Sequence, residues 1–138
     1  MKDSFCAVVT GQSLITHDVR HIQDDRFAEV VRFLRQGDLV FTNFESTILG
    51  QHGGWPTKGK YFGYSEAEVL DALQAIGFNA LALAHNHAFD LGPYGVLSTL
   101  EEVEARGFLD AGIGTDETRA IKLGGSRLGA REVEPRAV

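Results

Sequence analysis

Two hydrophobic rhythms alternate along this chain. Residues 5–10 (FCAVVT) form an unbroken apolar run ending at Gly11, the pattern of a strand buried on both faces. In residues 25–36 the apolar positions become Phe27, Val30, Val31 and Leu34, spaced i, i+3, i+4, i+7. That spacing predicts one buried helix face, and Gly37 is a suitable stop. Residues 39–44 (LVFTNF) predict a second strand. A glycine-rich stretch follows, with Gly50, Gly53, Gly54, Gly59 and Gly63 around Trp55-Pro56. Ser65 and Glu68 have the spacing of a capping box, which starts a second helix near Glu66; Val69, Leu70, Leu73 and Ile76 form its stripe and Gly77 its end. Residues 78–84 (FNALALA) predict a third buried strand. A helix over residues 94–105 buries Val96, Leu97, Leu100 and Val103, and a fourth strand (108–113) and a helical turn (116–121) complete the pattern.

Strands that alternate with helices predict an α/β fold with a largely parallel sheet and helices over both faces. Right-handed crossovers place every strand's C-terminal end on one edge, where open α/β sheets bind ligands. The last residues lose this rhythm. With Gly124, Gly125, Gly129 and Pro135, residues 124–138 read as an irregular tail after a domain at 1–123.

Charge narrows the class of partner. The chain has 138 residues, 13 Lys+Arg against 19 Asp+Glu, net −6. Residues 1–64 are balanced, 65–120 carry ten acids and two bases (net −8), and 121–138 carry net +2. A basic nucleic-acid footprint is absent, as is a polybasic membrane patch. No apolar run approaches a bilayer span and no signal-peptide core is visible, so the expected location is cytoplasmic. The single cysteine, Cys6, rules out an internal disulfide and a cysteine-cluster zinc site, and its place in a strand predicts a small buried side chain.

Polar residues follow each of the first three strands. Gly11, Gln12 and Ser13 come after the first, Asn43-Phe44-Glu45-Ser46 close the second, and His85-Asn86-His87-Ala88-Phe89-Asp90 follow the third. These supply carboxylate, amide and imidazole donors, a ligand set suited to Mn²⁺, Fe²⁺, Zn²⁺ or Mg²⁺. A histidine beside such an ion can protonate a leaving group or orient a phosphoryl oxygen. The plainer alternatives are that Asp90 caps the helix beginning near Pro93, and that Lys58 and Lys60 are solvated loop residues.

Residues 68–92, with Asn86, His87, Asp90 and Gly92 in an Asn-His-x-x-Asp-x-Gly pattern, resemble the CapA (poly-γ-glutamate synthesis) family of bacterial capsule-synthesis proteins. Asn43 and Glu45 are similar to that family's Asn-x-Glu motif, and residues 112–120 to its next stretch. The resemblance implies a metallophosphoesterase-like layered α/β/β/α sandwich, of which this chain is expected to be the N-terminal half. It implies Glu45 and Asn86 as metal ligands, with Gln12 and His85 completing the candidate set, His87 as the substrate-facing acid and Asp90 as its brace. Gln12 stands where the family usually has aspartate, which weakens one metal position. The implied substrate is a phosphate ester or a polyglutamate-related compound. The alternative is a non-catalytic accessory component of exopolymer synthesis. A half-sheet is also expected to self-associate through its open edge.

Overall fold

In the computed structural model, which describes residues 4–59 and 63–122, four strands form one sheet in the order β1-β2-β5-β6. They are β1 (Ala7–Ser13), β2 (Leu39–Phe44), β5 (Ala80–Ala82) and β6 (Leu109–Ala111), and every neighbouring pair is parallel. The crossovers carry α1 (Asp25–Leu34), α2 (Glu68–Ile76) and α3 (Gly92–Ala105), and α4 (Glu117–Ile121) follows β6. The parallel sheet flanked by helices is the α/β architecture that the alternating pattern predicts. The expected tail at 124–138 and Lys60 lie outside the described residues.

The core forms where β2 and β5 meet α2 and α3. Phe44, Ile48, Leu70, Leu73, Leu81, Leu83, Val103 and Phe108 are all essentially inaccessible to solvent. Helix α2 supplies Val69, Leu70, Ala72 and Leu73 and ends at Gly77, whose φ of +122° suits glycine. Helix α3 buries Leu100 and Val103 toward its C-terminal end but the small residues Gly95, Ser98 and Thr99 before them. Those small residues admit a short strand, β3 (Thr47–Ile48), whose Ile48 N–H donates to Thr99 Oγ1 at 2.9 Å. Strand β3 pairs in parallel with β4 (Tyr64–Ser65), so the glycine-rich stretch is a loop closed by its own two-stranded ladder. Two-residue strands leave too little periodicity to be read in a sequence.

Several expectations need correction. Strand β1 is an edge strand, not one buried on both faces: Val9 is 69% exposed, and the strand runs past Gly11 to Ser13 with a register irregularity between Val9 and Gln12. Cys6 is exposed for the same reason. On α1 the buried side is Leu34 with Phe27 and Val31 half-buried, while Val30 is exposed; Asp24 caps the helix by accepting from the Phe27 N–H at 2.9 Å. The Ser65–Glu68 capping box does not form. The Ser65 hydroxyl is buried, sharing a 2.7 Å hydrogen bond with Ser46 Oγ and donating to Ile15 O at 2.8 Å, so α2 begins at Glu68 without a side-chain cap. Among the described residues no helix is long and apolar enough to cross a membrane.

Candidate functional site

Strand register gathers the first candidates. Gln12 of β1 lies beside Asn43 of β2, which lies beside Ala82 of β5. All three are at strand C-terminal ends, so the chain leaves the sheet there along one rim. Hydroxyl groups stiffen the approach: Thr42 Oγ1 donates to Gly11 O at 2.8 Å and lies 2.7 Å from Ser13 Oγ. Past the end of β2, Asn43 Nδ2 donates to Glu45 Oε2 at 3.3 Å, and Glu45 N–H donates to Ser13 O at 3.3 Å. The other end of the Asn43 amide, Oδ1, is buried and has no hydrogen-bond partner among the described residues. An orphaned acceptor of this kind costs free energy unless something meets it.

Beyond β5 the chain makes a run of tight turns. Ala88 N–H bonds to His85 O, Asp90 N–H to His87 O, and Gly92 N–H to Phe89 O. This winding brings His87 Nδ1 to 2.7 Å from Asp90 Oδ2. Asp90 is completely buried and does not cap the following helix, whose first turn has no side-chain cap. Its carboxylate instead accepts from the Gly63 N–H at 2.8 Å on Oδ2 and faces Lys58 Nζ at 2.5 Å from Oδ1. Burial alone pushes the Asp90 carboxyl up, but hydrogen bonds from Lys58, His87 and the Gly63 N–H together outweigh it and hold it below the ordinary carboxylate value. Against a charged carboxylate, His87 Nδ1 must be the donor, and Nε2 has no hydrogen-bond partner among the described residues.

The glycine-rich loop is therefore part of this arrangement. Thr57 donates its N–H to Asp90 O at 2.9 Å and its hydroxyl to Phe89 O at 2.8 Å, and Lys58 also donates to Asn86 O. The reading of Lys58 as a solvated loop residue is thus corrected: the ammonium neutralises a buried acid. The signal for this was weak, since the partner lies about thirty positions away.

His85 is held differently. Burial lowers its pKa, with the nearby Glu45 carboxylate opposing and His87 reinforcing the shift. Its Nδ1 accepts the His87 N–H at 3.1 Å, so the neutral ring carries its proton on Nε2. Glu45, His87, Asp90 and Lys58 all act electrostatically on His85, which places the second and third polar clusters in one neighbourhood. The Asn86 and Gln12 side chains lie at exposed positions. Among the described residues no three His, Cys, Asp or Glu side chains stand close enough together to hold a metal ion. A site here would need the amide oxygens as well, and the unpartnered Asn43 Oδ1 beside Glu45 fits such a donor set.

A family model described as bacterial capsule synthesis protein PGA_cap matches residues 7–131. Two similar curated proteins, the uncharacterized proteins y4sH and y4uA of Sinorhizobium fredii (strain NBRC 101917 / NGR234), are each 30% identical over 122 residues. That alignment covers 86% of this chain and 26% of each relative, so the chain spans about a quarter of the length of the curated relatives it matches.

Proposed function

This chain belongs to the PGA_cap family of bacterial capsule synthesis proteins, and from that premise we propose that its strand-end rim carries the proton-transfer half of a metal-dependent phosphoesterase-type site. The observation that carries the reading is the His87–Asp90 pair, a histidine at the rim held at 2.7 Å by a wholly buried carboxylate. Buried charges are retained where their partners are fixed, and Asp90 has three. Asp90 keeps the His87 proton on Nδ1 and fixes the ring plane, and Lys58 offsets the cost of the buried charge. His87 Nε2 is then the ring atom placed to exchange a proton with a substrate at the rim.

Glu45, Asn43 and Asn86 would hold the metal, with Gln12 as a neutral neighbour in place of a carboxylate. A bound divalent ion supplies Lewis-acid polarisation of a phosphoryl oxygen and a more acidic water. His85 presents an Nε2–H, so in this tautomer it fits an anionic oxygen better than a metal.

The test is turnover of a chromogenic aryl phosphate by chelator-treated protein resupplied with Mn²⁺, Zn²⁺ or Mg²⁺. The reading expects activity that depends on one of these ions and falls by roughly 10²–10⁴-fold in His87→Ala. Activity unaffected by His87→Ala, or none with any of the three ions, contradicts it.

A further inference from the structure

Successive right-handed crossovers lay α1 and α2 side by side on one face of the sheet. The layer between them is not filled. Small side chains line the gap, Ala28 on α1 with Ala72 and Ala75 on α2, and a cleft of about 510 Å³ stays open there. Its walls are apolar: Phe27, Val31 and Ile76 are half-buried, and Ile22 borders it while 43% exposed. An unfilled apolar gap forfeits the contacts its lining could make, and this volume falls in the ~300–1,000 Å³ range of small-molecule sites.

The charged groups on the cleft all have one sign. Arg20, Arg32 and Arg35 line it, and no carboxylate does. The three are not equivalent. Asp18 neutralises Arg20, accepting from Nε at 2.9 Å and from Nη2 at 2.7 Å, and Asp71 and Glu68 toward the start of α2 add to its field. Arg32 and Arg35 stand at the opposite end. Arg32 is in the last turn of α1, and Arg35 donates to Ala75 O in the last turn of α2. Neither has a carboxylate partner among the described residues.

We infer that the α1–α2 cleft binds a single-chain amphiphile with an anionic head, its tail between the helices and its carboxylate or phosphate against Arg32 and Arg35. Charge complementarity selects the head. A guanidinium fork matches either anion in a bidentate geometry, whereas a cationic head would meet two uncompensated positive charges. The apolar walls and the alanines select the tail, because a polar body would lose its water there without gaining hydrogen bonds. The chain as a whole is net −6, so attraction for an anion is confined to this end of the cleft. None of the cleft's residues belongs to the strand-end rim, and the inference stands apart from the proposed hydrolase site.

Titration calorimetry below micelle-forming concentrations tests this. The probes are decyl phosphate and decanoate with their octyl and hexyl homologues, and the controls are decyltrimethylammonium and decyl maltoside. At least one decyl anion should bind saturably, with affinity rising about three- to fourfold per methylene through the series. The stronger of the two heads tells phosphate from carboxylate. Arg32→Gln, at an exposed position, should weaken the anion by about fivefold and leave the fold intact. Ala28→Leu, also exposed, fills the cleft and should weaken binding by about tenfold. Saturable binding of neither anion, binding of the cationic or neutral amphiphile as tight as that of the anions, or an affinity unmoved by Arg32→Gln overturns the inference. Should Ala28→Leu not fold, the head-group comparison and Arg32→Gln decide.

Discussion

Removing the Asp90 carboxylate should loosen the site and the loop above it together. In Asp90→Ala the Gly63 N–H, 2.8 Å from Oδ2, loses its acceptor, an orphaning worth about 1–3 kcal/mol. The charge-assisted bond to His87 at 2.7 Å is worth about 1.5–3 kcal/mol, discounted because the imidazole is a quarter exposed and water can replace part of it. Lys58 adds little, since its side chain is 43% exposed and can turn to solvent. Against these losses stands relief from holding a charge with no solvent contact. The net expectation is a loss of about 2–4 kcal/mol, within the ~3–5 kcal/mol typical of a broken buried pair. Urea unfolding would read this as a midpoint lowered by about 1–3 M. Asp90→Asn keeps an acceptor for Gly63 and should lose less than half as much stability, while aryl phosphate turnover still falls sharply. A change of less than about 0.5 kcal/mol in Asp90→Ala would refute the idea that this carboxylate anchors the loop.

Other consequences are simpler. Asp90 and His85, whose pKa values are both lowered by the fold, act on stability in the same direction. Asp90 has a lowered folded pKa, so its contribution is complete above the ordinary value of 3.8 and is lost as the pH falls through the folded value. His85 is also lowered, so the unfolded chain takes up its proton first, and stability declines as the pH drops below 6.5. Unfolding measured from pH 7.5 downward should show this earlier decline, and His85→Gln should flatten it. Gly112→Ala places a Cβ 2.6 Å from the Ala84 backbone nitrogen at a φ of +113°, and a loss of about 1–3 kcal/mol is expected in the same unfolding assay. Leu83→Ala empties a wholly buried position and should lower stability by about 2–5 kcal/mol, read by thermal or urea unfolding.

What could be read in the sequence was whatever repeats within a few residues. The stripe of α2, the Leu100 and Val103 end of the α3 stripe and the stop at Gly77 rest on local spacing and are where the spacing puts them, whereas Val96 and Leu97 of α3 are only half-buried. Errors arose where a distant partner decides the outcome. The apolar content of β1 says strand but not that it would be an edge, because that depends on strand order. Ser65 has the spacing for a cap, yet Ser46 and Ile15 claim its hydroxyl across 19 and 50 positions. The same holds at the site. His87 and Asp90 are three residues apart and could be paired on sight, whereas Lys58 and Gly63 reach Asp90 from a loop 32 and 27 positions upstream. The glycines that let this loop close were visible; what it closes upon was not.

The central claim is that Asp90 fixes the His87 ring with its Nε2 lone pair free at the rim. Long-range ¹H–¹⁵N correlation spectra of histidine-labelled protein at pH 8, with His85→Gln and His87→Gln used for assignment, observe this directly. Opposite tautomers two residues apart are expected: His87 protonated on Nδ1 and bare at Nε2, His85 protonated on Nε2 and bare at Nδ1. A His87 ring protonated on Nε2 would mean that Asp90 does not hold it, and the proposed acid–base pair would fall.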